Sequence, residues 1–301
     1  MPGLTPTEAV AARKLHPLVA TILTDAMVAK PLPPLTPDQQ ALVLGGEAPI
    51  WSEIVTDEML DSRLWPRAGA LAERFWSPAT VRDPDDMYRR LAVLQDRLRL
   101  LGLNDYANRA RMASRLVPGA SDPVLVLLDL VGPVRHFAHD HRPPAAARGR
   151  KIVQEFNALA DAAPVDSLVA RSFIARATRL AEGDRAMASV LRADFKLWIA
   201  NHGRFTVAAK THTALQSGLP ASAEIAELAA VGLLATEAIE ASQPLSAEAA
   251  VRALAVLERA EAAEKASERP VFTLFNRQPP ADLILMVTPG VRRLVAAAQR
   301  S

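Results

Sequence analysis

Residues 45–77 read GGEAPIWSEIVTDEMLDSRLWPRAGALAERFWS and hold three of the chain's four tryptophans. The run from Val43 to Trp51 is apolar, carries two glycines and a proline, and is too short for an ordinary helix, which predicts a β-strand. Pro49 removes one ladder donor, so the strand is expected at an edge, at a bulge or as the last to close a sheet. Side chains alternate along a strand, which puts Glu47, Pro49, Trp51 and Glu53 on one side. TDEMLDS then reads as a loop. A helix comes next, from Pro66 to about Phe75, with Ala68, Ala70, Leu71, Ala72 and Phe75 as a closely packing face. Strand, loop and helix together form one unit of an α/β sheet. On these residues alone Trp51 serves either as a core anchor or as a wall against a ligand.

Outward from this unit the signals are helical. Residues 1–30 show loosely helical apolar spacing (Val10, Leu15, Leu18, Ile22, Met27), and PLPPLTPDQ breaks that pattern. Thr36-Pro37 is a helix start, because the hydroxyl caps the first turn and proline at the first helical position loses no hydrogen bond. Downstream, Asp83 as N-cap, Pro84, the acidic first turn Asp85-Asp86 and the stop at Gly102 delimit a helix. Its stripe Met87, Leu91, Leu94, Leu98, Leu101 is spaced four, three, four, three, and Arg89, Arg90, Asp96, Arg97 and Arg99 make a solvated opposite face. After residue 120, alanine-rich helical segments are expected near 150–163, 166–182, 185–217, 222–241 and 246–268. Asp166-Ser167, Ser222 and Ser246 supply start signals. The tail from Pro270, with VFTLF and DLILMV, suits short extended pieces.

The 301 residues allow one large domain or two ordinary ones. Half are hydrophobic, and 35 basic side chains face 33 acidic ones, a net charge of +2 that gives no pull toward nucleic acid. There are no cysteines, which removes disulfides, thiolate metal sites and a cysteine nucleophile together. The N-terminal residues do not read as a signal peptide. The apolar run Pro123–Val134 is about half a membrane span and contains Asp129, so no membrane partner is expected.

GGE, WSE, LWPR, AER, the Trp-Ser after it and the Asp-Asp-x-Tyr of the next helix, in that order over residues 35–103, closely resemble the end of the catalytic barrel of β-N-acetylhexosaminidases, glycoside hydrolase family 20. The resemblance implies the eighth strand and helix of a TIM barrel, with the strand's C-terminal end at the sugar site. It further implies that Trp51 walls the N-acetylglucosamine ring and that Glu53 accepts hydrogen bonds from sugar hydroxyls. An aromatic face suits the C–H face of a sugar, and an ionised carboxylate takes two hydroxyl donors. Trp65, Arg67, Glu73 and Trp76 are expected to pack and to form an internal ion pair. Glu47 is expected as a buried, paired carboxylate.

The family's reaction is a retaining hydrolysis in which the substrate's acetamido oxygen attacks the anomeric carbon. An adjacent Asp-Glu pair on the fourth strand orients that group and serves as acid and base. No such pair precedes Gly45, and seven strands do not fit in the 42 residues before Val43. The adjacent acids Asp57-Glu58 and Asp85-Asp86 do not match the motif, so no catalytic residue is assigned. The expected architecture is mainly α: residues 1–103 as a remnant of the barrel's C-terminal end, and 104–301 as an α-helical bundle-like domain.

No cofactor motif is present. His136, His139, Asp140 and His141 invite a metal reading, but they lie beside Pro143-Pro144 with no HExxH helix, and no metal site is assigned. His202 and His212 read as helix histidines. Two function classes remain. One is a hexosaminidase-like fragment, inactive alone, that meets an N-acetylhexosamine-containing glycan when the barrel is completed. The other is a helical interaction module, or a subunit whose protein partner supplies the barrel.

Overall fold

The computed structural model describes residues 34–50, 52, 55–134, 158–267 and 280–300. The helix expected over 1–30, the histidine cluster at 136–141, and Trp51 and Glu53 lie outside them.

Helix α1, Pro37–Ala41, opens as the sequence requires: the Thr36 hydroxyl accepts from Gln39 N–H at 3.3 Å and the Gln39 amide oxygen accepts from Thr36 N–H at 2.9 Å. The strand expected at 43–51 does not form over its described residues, 43–50. Residues 43–50 have no regular structure and every one is exposed, with Leu44 at 100%. A strand gains its backbone bonds from neighbours, and no neighbouring strand is present here among the described residues.

TDEMLDS is not a loop. Helix α2, Asp57–Leu64, begins with Asp57 and Glu58 in its first turn, where the dipole favours acids, and buries Met59. Helix α3, Arg67–Trp76, comes after a cis Trp65–Pro66 bond. Helix α4, Pro84–Leu100, starts as expected, with the Asp83 carboxylate accepting from Asp85 and Asp86 N–H at 3.0 and 3.1 Å, and it stops at left-handed Gly102. Of its apolar stripe Leu91 is buried while Leu101 is exposed.

Helix α5, Asp105–Leu116, joins this first region to the bundle. Helix α6, Asp122–Leu128, and strand β1, Val131–Pro133, use the apolar run that was too short for a membrane. Strand β2, Leu283–Leu285, comes from the tail and pairs antiparallel with β1, Val131 opposite Leu285 and Pro133 opposite Leu283. Between them run α7, Leu159–Ala162; α8, Leu168–Ala181; α9, Ala188–Thr211; α10, Leu219–Ala241; and α11, Ala247–Ser267. Helix α12, Thr288–Ala298, closes the bundle. Ser167 and Ser246 cap α8 and α11 as expected, accepting from Ala170 N–H at 3.1 Å and Ala249 N–H at 3.2 Å. Ser222 does not cap: α10 starts earlier, with Pro220 in its first turn, and Ser222 is buried within it.

Helix α10 is the centre of the bundle and packs on α9, α11 and α12. The stretch Thr213–Ala241 is long and apolar enough to cross a membrane, but half of that window is buried inside the protein, as a central helix requires. Phe173, Phe195 and Trp198 form an edge-to-face trio with centroids 4.8–5.5 Å apart. Gly232 lets α10 approach this trio, since a Cβ there would lie 2.4 Å from the Phe195 ring. The described core is concentrated here. Of the chain before Asp105, Met59, Pro66 and Leu91 are the buried apolar side chains among the described residues.

Candidate functional site

The two sugar-site candidates, Trp51 and Glu53, fall outside the described residues, so their side chains have no stated geometry. Their surroundings do. Ser52 is exposed, and its carbonyl accepts from Val55 N–H at 3.2 Å. Upstream, Gly46 lies on the Phe75 ring of α3, where a Cβ would sit 2.8 Å from Cζ. A side chain at this position would require the exposed Phe75 ring to move. Residues 43–50 are thus exposed, with Gly46 against the Phe75 ring.

Glu47 is exposed, contrary to the expectation of a buried pair, because the strand that would have covered it is absent. The ion pair found at Glu73 is not internal to α3: Glu73 takes Arg90 of α4, Nη2 at 2.7 Å and Nε at 3.3 Å. Arg90 thus leaves the purely solvated face assigned to it and also pairs with Asp86. Arg67 donates to the Arg63 carbonyl at 2.6 Å, and Trp65 is half-buried. Trp76 does not pack. It is 92% exposed, and Phe75 beside it is 55% exposed. Leu42, Val43, Leu44 and Leu71 are likewise exposed, so the apolar residues around the sugar-site segment face outward.

A few ionisable groups join α2 and α4 to the helices that come later in the chain. Arg63 reaches across to α7, donating to the carbonyls of Ala163 at 2.8 Å, Ala160 at 3.0 Å and Asp161 at 3.1 Å. Glu58 accepts from Arg115 of α5 at 2.9 Å, and this bond, more than any other cause, holds its carboxyl below the usual range. Asp105 is desolvated, which by itself raises a carboxyl. Its bonds from Arg99 at 2.9 Å and Gln95 at 2.6 Å outweigh burial and lower it. Tyr88, the last residue of the Asp-Asp-x-Tyr element, donates to Asp166 at 2.7 Å and lies under the Arg171 guanidinium, 4.0 Å from the ring centre. Burial first, and the bond to Asp166 second, push its phenol up to about 12.

These are structural roles. The Asp57-Glu58 and Asp85-Asp86 pairs lie in the first turns of α2 and α4, and no group of three His, Asp or Glu side chains among the described residues is placed to hold a metal. His202 shares a hydrogen bond of 3.1 Å with Ser222 Oγ across α9 and α10, as suits a helix histidine. His212 sits at the end of α9, 3.1 Å from the Ala208 carbonyl. Sequence reasoning does not find Arg63, Asp166 or Arg171 as connectors. Their partners are 78 to 100 positions away in the chain, beyond any local pattern.

Residues 10–79 match the family described as glycosyl hydrolase family 20, catalytic domain. The β-hexosaminidase subunit beta of Mus musculus is 53% identical over 60 residues, 20% of this chain and 11% of that protein. The Homo sapiens subunit beta is 54% identical over 56 residues, 19% of this chain and 10% of its own length. The chain therefore spans about a tenth of the curated relatives it matches. In fold it resembles the crystal structure of Flavobacterium johnsoniae chitobiase, with a TM-score of 0.66 and 24% identity, covering 88% of this chain and 38% of that one. Residues 1–103 are only a third of the chain, so a likeness of that extent takes in the helical bundle as well.

Proposed function

We propose that this chain, a family 20 β-hexosaminidase-like protein, forms one edge of a glycoside hydrolase sugar site and carries the helical domain attached to it. In this reading Trp51 covers a face of a terminal N-acetylhexosamine and Glu53 accepts its hydroxyls. The 301 residues do not hydrolyse the glycan alone, because their sequence contains no family-type Asp-Glu pair to orient the acetamido group and move the proton. The reading is carried by one observation: the segment that matches the catalytic domain presents an apolar surface, Leu42 to Leu44 with Leu71, Phe75 and Trp76, that nothing described covers. That exposure also favours a partner, the remainder of a barrel carrying the catalytic pair.

The test uses a chromogenic N-acetylglucosaminide. The purified chain is expected to give no turnover. Co-expression with the first seven strands of a hexosaminidase barrel is expected to restore it, and Glu53→Ala to abolish the restored activity. Turnover by the chain alone would refute the reading, and so would restored activity indifferent to Glu53.

A further inference from the structure

The C-terminal ends of α8, α10 and α12 border an open cavity of about 300 Å³, the lower end of the range of small-molecule sites. Its floor is apolar, made by Leu180, Ile239 and Ala297, all buried. Its rim carries Arg185, Ser242 and Arg300. Helix C-termini ordinarily repel anions through their free carbonyls. Here the last turns consume several of their own: Gly183 N–H bonds to the Leu180 carbonyl at 3.0 Å, Ser242 N–H to Ile239 at 3.2 Å, and Arg300 N–H to Ala297 at 3.0 Å.

The nearby carboxylates are engaged as well. Asp184 pairs with Arg179 at 2.5 Å and Glu240 with Arg192 at 3.0 Å. Glu182, exposed on the same turn as Gly183, does not line the cavity. Arg185 is steered by the Glu240 carbonyl at 3.1 Å and by Ser242 Oγ. Among the described residues, neither Arg185 nor Arg300 has a carboxylate within ion-pair reach. Two arginines with no carboxylate partner among the described residues thus border an apolar floor.

We propose that this cavity binds a small organic carboxylate, its head held by Arg185 and Arg300 and its apolar body resting on Leu180, Ile239 and Ala297. A guanidinium fork matches a carboxylate with two parallel bonds. Both arginines are exposed, so binding weakens as salt screens them. The assignment is independent of the sugar-site reading.

The experiment titrates the full chain with hexanoate by calorimetry, with hexanol as a body-only probe and acetate as a head-only probe. Saturable hexanoate binding is expected, stronger than with either control. It should weaken about tenfold, a clearly measurable change in affinity, in Arg300→Ala, while the thermal melting temperature stays unchanged. Arg185→Lys, which keeps the charge and loses the fork, should weaken it less. Hexanol binding as tightly as hexanoate would overturn the proposal. So would an Arg300→Ala affinity equal to the parent's, or the absence of saturation by hexanoate.

Discussion

Residues 34–104 and 105–300 are held together in different ways. The second region is a bundle around α10 with aromatic rings interlocked at its centre, and its apolar side chains are mostly inside. The first region is helical too, yet it buries Met59 and Leu91 and leaves Leu44, Trp76, Leu100 and Leu101 in solvent. It is attached largely by directed polar bonds: Arg63 to the carbonyls of α7, Glu58 to Arg115, Tyr88 to Asp166. Burial therefore stabilises the bundle, whereas the described part of the first region is bonded to the bundle and leaves several large apolar side chains exposed. Where such exposed apolar side chains are contiguous, they mark interaction sites in folded proteins.

The largest effect should come from the bundle. Phe195 is fully buried, touches both Phe173 and Trp198, and lies where Gly232 admits α10. Phe195→Ala is expected to cost about 3–5 kcal/mol, the range for deleting a buried ring, measured by denaturant unfolding. If the loss were below about 1 kcal/mol, well short of that range, the interlocked trio would not be the bundle's centre and the contrast between the regions would break.

A smaller effect tests the bonds between the regions. Tyr88 in the folded chain has its phenol raised to about 12 against an ordinary value near 10. A raised value means that the folded state favours the neutral phenol, so its contribution is complete below pH about 10 and is lost as pH climbs through about 12. In a Tyr106→Phe background, where Tyr88 is the sole tyrosine, near-ultraviolet absorbance should show this late ionisation. The melting temperature should fall across the same window, and Tyr88→Phe should remove that part of the fall. Ionisation at the ordinary value would mean that Tyr88 does not bridge α4 to Asp166.

How much of the structure is legible in the sequence depends on how local each cause is. Asp83, Pro84 and Gly102 bound α4 because caps act on adjacent backbone groups. Ser167 and Ser246 mark their helices for the same reason. The strand expected at 43–51 is absent over the described residues 43–50 because alternation and apolarity describe a strand's readiness, and its existence depends on a neighbour. Helix α2 escapes a sequence reading because TDEMLDSRL has no apolar stripe; one methionine, Met59, holds it to the core. At the candidate site, Trp51 and Glu53 are singled out by their two-residue spacing and by the resemblance to a sugar-binding edge, and both lie outside the described residues. The outward aim of Trp76 is not, since a tryptophan that packs and one that awaits a partner look alike in sequence. Connectors such as Arg63 are invisible because their acceptors are backbone carbonyls, which every residue supplies.

The smallest effect is the one that sharpens the comparison most. Trp76 is the residue for which the two regions give opposite forecasts. A buried tryptophan would cost about 3–5 kcal/mol on truncation. An exposed one away from caps and ion pairs should shift stability by no more than about 0.5 kcal/mol. At 92% exposure on the last turn of α3, Trp76→Ser belongs to the second class. Denaturant unfolding should place it with the parent, and the parent's tendency to associate at high concentration, read by light scattering, should decrease because an apolar ring has left the surface. If the substitution destabilised the chain like a core deletion, Trp76 would be packed in solution. The barrel-like region would then bury its own apolar face, and the surface assigned to a partner would already be covered.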